Sequence, residues 1–299
     1  MDTLCITDLY KRFGEKQVLN GLNLSVPEHS IYGFIGKNGS GKTTTMKAVL
    51  GLLTVDSGTI TVCGEKVAFG QTMTNRNIGY LPDVPEFYSF MNAREYLTFC
   101  GQICGMEKKD IADRSEELLY LVGLADVKQR IKGYSRGMKQ RLGIAQAVFN
   151  RPKLLICDEP TSALDPIGRR EILDILSSIT DQTTILFSTH ILSDAERICT
   201  DVAFLDSGRV TLSGKLSEIK TKYRKHEYQI QTETTSDAEM LVKTFAKMKR
   251  IGNEQVVFCE SDYLFSDVLY FISEKGIPVL KIERSEPTLE DLFVKVTDK

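Results

Sequence analysis

No run of about 18 apolar residues occurs in the 299-residue chain, so the sequence offers no segment able to cross a bilayer as a helix. Its opening, Met1-Asp2-Thr3-Leu4, has neither the basic start nor the apolar stretch of a secretory signal, which predicts a chain that stays in the cytosol. An excess of charge of one sign is missing too. The 38 Lys and Arg and the 40 Asp and Glu leave a formal net charge of -2, without the basic excess of nucleic-acid binders, so no nucleic acid is expected as a partner. Seven cysteines, an odd number, include no C-x-x-C pair. Cys100 and Cys104 can share a helix face, but no second ligand pair stands at zinc-site spacing. The thiols read as reduced, small hydrophobes. Internal repeats and low-complexity tracts are absent as well.

What is present is an ordered alternation of textures. Hydrophobic residues at 42% and charged residues at 26% are the ordinary mixture of a well-cored globular protein. Short β-rich runs over 4–9, 22–26, 31–35 and 59–62 alternate with turn residues. From Asn92 to Val122 apolar residues fall at helical spacing, and Asn92 with Glu95 reads as a capping box. Leu154-Leu155-Ile156-Cys157 is a continuous apolar run of the kind that buried parallel strands carry. A helix over 168–179, a strand over 183–187, another helix and a strand over 202–205 follow. This alternation predicts an α/β layered domain. After Lys220 the composition shifts. Lys220, Lys222, Arg224 and Lys225 form a basic stretch suited to a linker, with contact to anionic lipid as the alternative. Beyond it the order strand, helix, hairpin about Gly252-Asn253, helix, strand is that of the ferredoxin-like split βαβ unit, and a last helix starts near Pro287. The expected organisation is one domain over 1–219, with a helical subdomain over about 84–148, and a small α+β accessory domain over 220–299.

The chemistry begins at Gly36-Lys37-Asn38-Gly39-Ser40-Gly41-Lys42-Thr43, which fits the P-loop pattern G-x-x-x-x-G-K-[ST] without a mismatch. The run over 31–35 feeds this loop and a helix-like stretch from Thr44 leaves it, the context the motif requires. Glycines let successive backbone N–H groups turn toward phosphates, and the following helix adds the positive end of its dipole. Lys42 suits the β- and γ-phosphates, and the Thr43 hydroxyl suits Mg²⁺. Downstream, the run over 154–157 delivers Asp158 and Glu159 at a strand end. Asp158 can hold Mg²⁺, and Glu159 can orient or deprotonate an attacking water. An apolar run ending in Asp-Glu is a weak signal alone; after such a loop it gains weight. His190 closes the strand-like run over 184–189 and has two readings, a hydrogen bond to a γ-phosphate or a structural role. Ser135 and Gly137 open a helix reaching Val148, so they offer an anion a hydroxyl, N–H groups and a dipole, or else Ser135 is a plain N-cap.

Taken together, these motifs resemble those of ABC-transporter ATPases. Tyr134-Ser135-Arg136-Gly137-Met138 is similar to the ABC signature, with Y-S-R-G-M where L-S-G-G-Q is usual, and it precedes the Asp158 strand as in that family. Ser162-Ala163-Leu164-Asp165 resembles the D-loop, and His190 falls at the switch-histidine position. Phe13 matches the aromatic position that stacks on adenine, with Tyr10 the weaker candidate and core packing the bland alternative. The resemblance covers residues 1 to 215 with specific motifs. Its ending, Glu286-Pro287-Thr288-Leu289-Glu290-Asp291-Leu292-Phe293, is similar to one common among ATPases of the ABC-2 export class, especially bacterial bacitracin- and lantibiotic-resistance subunits.

The resemblance implies a P-loop NTPase fold with ATP and Mg²⁺. ATP contacts would come from Phe13, Gly36, Lys37, Asn38, Gly39, Ser40, Gly41, Lys42, Thr43, Thr44, Ser135, Gly137 and Asp165. Metal ligands would be Thr43, Asp83 and Asp158, and the catalytic pair Glu159 and His190. It also implies two copies, or one copy and a related ATPase subunit, facing head to tail. Each ATP would lie between one P-loop and the other subunit's Ser135 and Gly137. The further partner would be a separate integral membrane permease, with the chain peripheral at the cytoplasmic membrane face. Export of a peptide, antibiotic or other amphipathic compound is expected; an importer subunit and a soluble non-transport ABC ATPase are the alternatives.

Two residues depart from the family pattern. Asp83 stands where a glutamine is usual, and its charged, shorter side chain changes how the position could reach Mg²⁺. Arg136 replaces the first signature glycine, so its side chain either points outward or meets phosphate or a neighbouring acid. The aromatic segment over 85–91 faces either a coupling helix of the permease or the helical subdomain's own core.

Overall fold

The first β-rich runs are longer than their apolar residues mark. In the computed structural model, which describes residues 2–70, 73–224 and 226–297, Asp2–Phe13 (β1) and Lys16–Pro27 (β2) pair antiparallel. Their turn sits at Gly14, whose φ of 56° costs a glycine little. Polar residues from Lys11 to Gln17 extend this hairpin past the apolar core, which places Phe13 at its tip. Ile31–Ile35 (β3) is buried at all five positions and leads through the glycine-rich loop into Lys42–Val49 (α1). Ser57–Val62 (β4) and Glu65–Lys66 (β5) complete an antiparallel sheet in the order β2-β1-β4-β5.

The second sheet organises the chemistry. Ile78–Leu81 (β6), Leu154–Asp158 (β7), Thr184–Thr189 (β8), Asp201–Asp206 (β9) and Arg209–Lys215 (β10) join β3 in the order β10-β9-β3-β8-β7-β6. All its pairings are parallel except the β9–β10 hairpin. Every position of β7 and β8 is buried, which explains their near-continuous apolar sequence; β10, at the edge, alternates instead. Register aligns Ile35 with Thr189 and Asp158 with Ser188. The loop after β3, the acids after β7 and the histidine after β8 therefore leave the sheet at one edge, where ligands bind in open α/β sheets.

Three helices form the segment expected to be a helical subdomain. The helical spacing read over 92–122 belongs to two helices, Ala93–Ile103 (α2) and Lys108–Leu121 (α3), because the chain turns at Gly105 with φ 71°. The capping box is present: Asn92 Oδ1 accepts from Glu95 N at 3.0 Å, and Asn92 N donates to Glu95 Oε2 at 2.9 Å. Arg136–Ala147 (α4) packs closely on β6 through two glycines. A Cβ on Gly143 would lie 2.6 Å from Leu81 Cδ1, and one on Gly79 would collide with the Ala147 carbonyl. Phe87 packs edge-on against Tyr96 of α2 at 5.0 Å, whereas Tyr88 and Phe90 stay at least half exposed. The reading of the 85–91 segment as part of the subdomain's own core thus holds for Phe87. Pro166–Ser178 (α5) and Leu192–Ile198 (α6) flank β8 in sequence.

A second compact unit spans Ser217–Val294, and the first runs to Leu216 and also takes in the C-terminal residues from Lys295. Lys220 and Lys222, read as linker, lie instead in the helix Leu216–Lys222 (α7), where they complement the C-terminal end of its dipole. Lys225 lies outside the described residues. Glu227–Thr232 (β11), Thr235–Thr244 (α8), Lys249–Arg250 (β12), Gln255–Cys259 (β13), Phe265–Lys275 (α9) and Val279–Arg284 (β14) follow, then Leu289–Thr297 (α10). The sheet runs β12-β13-β11-β14, fully antiparallel, which is the ferredoxin-like arrangement. Ile230, Leu241, Val256, Phe258, Val268 and Ile272 form its core.

All seven cysteines are free. Cys157 and Cys199 are buried, and burial pushes both thiols far above their ordinary range. A thiol reagent at pH 8 should therefore modify the exposed Cys63 and Cys104 in the folded protein and leave Cys157 and Cys199 untouched until denaturant is added. Peptide mapping checks this; rapid native labelling of Cys157 would contradict the buried β7.

Candidate functional site

Each part of the site follows from a strand end. After β3, Gly36 cannot carry a side chain: its Cβ would lie 2.6 Å from both the Leu205 carbonyl and Ser40 Oγ. Gly39 and Gly41 take φ values of 81° and 114°, which let the loop curl into α1. No side chain caps α1, so its first-turn N–H groups remain available to an anion. Ser40 Oγ is buried with no hydrogen-bond partner among the described residues. Lys42, only 6% exposed, donates to the Gly36 carbonyl at 2.6 Å and the Lys37 carbonyl at 3.3 Å. Its Nζ also lies 3.2 Å from Glu159 Oε1.

After β7, Asp158 is 4% exposed and both its oxygens are held: Thr43 Oγ1 donates to Oδ2 at 2.9 Å, and Ser188 Oγ donates to Oδ1 at 2.7 Å. Glu159 follows with φ 49°, a left-handed conformation that costs a non-glycine residue about 1–3 kcal/mol. Its N–H donates to Ser188 Oγ at 3.0 Å and the Ser188 carbonyl at 3.2 Å. At about 0.5–1.5 kcal/mol per net hydrogen bond, these contacts are of the size needed to hold the strained turn. Its Oε2 lies 2.7 Å from His190 Nδ1, so one carboxylate joins the loop lysine to the histidine after β8. Near these groups, burial and then the charges of Asp158 and Asp83 push the Tyr80 phenol up to about 12.

A cavity of ≈ 420 Å³ opens on this constellation, lined by Phe13, Lys16, Val18, Asn38, Gly39, Gly41, Lys42, Thr43, Thr44 and Glu159. Its size suits a nucleotide-sized ligand. Phe13, 48% exposed, lines it with Lys11 Nζ 5.2 Å from the ring centre. Tyr10 does not line it and packs over Gly21 instead. A cavity of ≈ 390 Å³ beside α3 contains none of these groups.

Other expected residues lie elsewhere. Ser135 is the N-cap of α4, accepting from Met138 N at 3.2 Å, and Asp165 is the N-cap of α5, accepting from Gly168 N at 3.0 Å. Neither they nor Gly137 line the cavity. Asp83 accepts from Ser162 Oγ at 2.8 Å and from Arg136 at 3.5 Å, and no hydrogen bond joins it to Thr43 or Asp158 among the described residues. Of the two orientations open to Arg136, the one toward a neighbouring acid is found. Sequence reasoning missed Ser188, which holds both Asp158 and Glu159. The one signal was a hydroxyl two residues before a chemistry-bearing histidine, in a strand that also carries Thr184 and Thr189.

Comparisons with known proteins give the same direction. The ABC transporter family model matches residues 19–162, and that of the DrrA1-3-like ATP-binding protein C-terminal domain matches 214–297. The chain is 38% identical to the uncharacterised ABC transporter ATP-binding protein YxlF of Bacillus subtilis, over 98% of this chain and 99% of that one. It is 36% identical to the bacitracin transport ATP-binding protein BcrA of Bacillus licheniformis, over 97% and 95%. Among solved structures, an ATP-binding subunit of an ABC transporter is 31% identical with a TM-score of 0.66, covering 74% of this chain and 93% of that chain. CbiO1 of Clostridium perfringens, part of an ABC transporter complex, is 25% identical with a TM-score of 0.68, covering 74% and 91%. With a phosphate-binding loop, two acids and a histidine gathered at one sheet edge, and with these relatives, the chain belongs to the ATP-binding subunits of ABC transporters, which hydrolyse ATP to drive transport.

Proposed function

We propose that this subunit drives export of a peptide, antibiotic or other amphipathic compound through a separate membrane-spanning permease, to which it docks at the cytoplasmic face. The likeness to bacitracin transport ATP-binding proteins over nearly the whole chain, second domain included, supports export and this cargo class. No helix among the described residues is long and apolar enough to cross a membrane, so the path for cargo would lie in another chain.

The observation that carries the mechanism is the Lys42–Glu159–His190 chain of contacts beside the Thr43–Asp158 pair. Thr43 and Asp158 are oxygen donors within 2.9 Å of each other, a set that suits Mg²⁺. When bound, the ion would offset charge on the phosphates. Asp83, expected as a further oxygen ligand, is engaged by Ser162 and Arg136. The loop from Gly36 to Thr44 would hold the phosphates through its N–H groups and Lys42, and Phe13 would stack on adenine. Glu159 would take or orient the proton of the attacking water, with His190 positioning its carboxylate and sensing the γ-phosphate. Phosphoryl transfer needs mainly positioning and charge neutralisation, and these groups supply both.

Ser135, Gly137 and Asp165 sit away from this cavity, and a head-to-tail pair of chains gives them a role. Each ATP would lie between one copy's phosphate-binding loop and the first turn of α4 in the other. Hydrolysis then removes the bridge and shifts the pair toward its open state.

In the Glu159→Gln variant, ATP binding should persist, turnover should fall by about 100-fold or more, and an ATP-dependent dimer should accumulate on size exclusion. Near-normal turnover would remove Glu159 from this role. Replacing Lys42 by Ala should abolish ATP binding at millimolar nucleotide in calorimetry; unchanged affinity would rule out the phosphate-loop assignment. Affinity purification from membranes should recover a polytopic membrane protein with the wild-type chain, and recovery of soluble partners alone would contradict transport.

A further inference from the structure

The cavity beside α3 lies at the opposite ends of β7 and β8 from the nucleotide cavity. Its ≈ 390 Å³ are walled by α3, by the turn between α4 and β7, and by the turn between α5 and β8. That volume is in the range of small-molecule sites, and none of the lining residues belongs to the ATP chemistry. Leu118, Leu121, Val148, Pro152 and Ile179 make its floor apolar. A hydrocarbon chain laid on such a floor gains free energy by leaving water.

Charge at the mouth is unequal. Among the described lining residues it rests on Arg114, Glu117 and Arg151, two guanidinium groups against one carboxylate. Arg114, only 6% exposed, is fully engaged. It donates to the Val148 carbonyl at 2.7 Å, the Phe149 carbonyl at 3.2 Å and Glu117 Oε1 at 2.6 Å. These bonds take up carbonyls just past α4 and neutralise Glu117. Arg151 lies 3.8 Å from Glu117 Oε2, and with its side chain 74% exposed that pair contributes little. The surplus positive charge of the cluster therefore sits on Arg151.

The backbone at Arg151 is a second, independent sign. Its φ is 49°, in the left-handed region, and Pro152 follows, which further narrows the conformations open to the residue before it. Glycine would adopt this φ at little cost. It would also keep the one backbone bond formed there, from Arg151 N to the Val148 carbonyl at 3.1 Å. A strained position that could be glycine instead carries a long cation at the mouth of an apolar cavity.

We propose that this cavity binds an anionic amphiphile taken up as a free molecule: a single alkyl chain on the apolar floor, with a carboxylate or sulfonate head on Arg151. An occupant touches α3 and both turns at once, so it ties that helix to the sheet at the edge away from ATP. The proposal stands whether or not the exported cargo is itself amphipathic.

Calorimetry of the full chain with dodecanoate, below its micelle concentration, should show one saturable site with a Kd of about 100 µM. Dodecyltrimethylammonium has the same chain and the opposite charge, and butyrate the same head and little chain; each should bind about 10-fold more weakly or worse. Hydrogen exchange should slow in 114–121, 148–152 and 178–183 when dodecanoate is bound. Ser178→Trp, at an exposed lining position, fills the cavity from its rim and should remove the site. Arg151→Gly should weaken dodecanoate about 3- to 10-fold, while the thermal midpoint of the free protein stays level or rises because the strained backbone is relieved. Equal affinity for the two dodecyl compounds would overturn the proposal, as would exchange protection elsewhere or no saturable binding below about 1 mM. A lower midpoint in Arg151→Gly with dodecanoate affinity unchanged would make Arg151 purely structural and would overturn it too.

Discussion

A carboxylate almost removed from water must be bonded on both oxygens, and Asp158 meets that demand in a way that fixes its surroundings. One oxygen takes the hydroxyl of Thr43, in the first turn of α1, and the other takes the hydroxyl of Ser188, next to the last residue of β8. Three neighbouring elements of the sheet edge are thereby pinned to one side chain. The backbone then turns through a left-handed Glu159, held by Ser188, so that its carboxylate reaches Lys42 on one side and His190 on the other. Loss of the Asp158 contacts would release the phosphate-binding loop and the strained turn together.

The rest of the first unit extends outward from that edge. Parallel strands buried on both faces place the loop and the acids at matched heights, and the β1–β2 hairpin carries Phe13 to the rim of the cavity. On α4 the polar side chains Arg136 and Gln140 reach back to Asp83 and Pro160, so a helix whose N-cap is Ser135 is anchored to the turn after Glu159. The chain therefore presents the cavity at the sheet edge and, apart from it, the helix start at Gly137. Under the proposed arrangement, the second copy brings these two surfaces together.

Much of this was legible in the sequence because local rules dominate there. The glycine-rich loop, the apolar β7 run ending in Asp158 and Glu159, and the Asn92–Glu95 capping box are determined within a few residues, and the structure carries all three. The ferredoxin-like order of the second unit was also readable, since alternation and a turn at Gly252-Asn253 marked its hairpin. What escaped depended on distance in sequence. Ser188 matters only because register places it beside Asp158, and no spacing rule marks a hydroxyl within a strand. The meeting of Asp83, Arg136 and Ser162 needed the packing of α4 on β6. The hairpin's extra length, the break at Gly105 and the helical state of Lys220 and Lys222 are cases where turn geometry or helix continuation outweighed composition.

The most direct measurement uses vanadate as a γ-phosphate mimic. The protein is trapped with ADP and vanadate, irradiated, and its fragments are sized by mass spectrometry. Backbone cuts both within the 36–41 loop and at 135–137 are expected if each nucleotide is shared between two copies. Cuts confined to the loop, in a protein that has trapped nucleotide stoichiometrically, would contradict that arrangement.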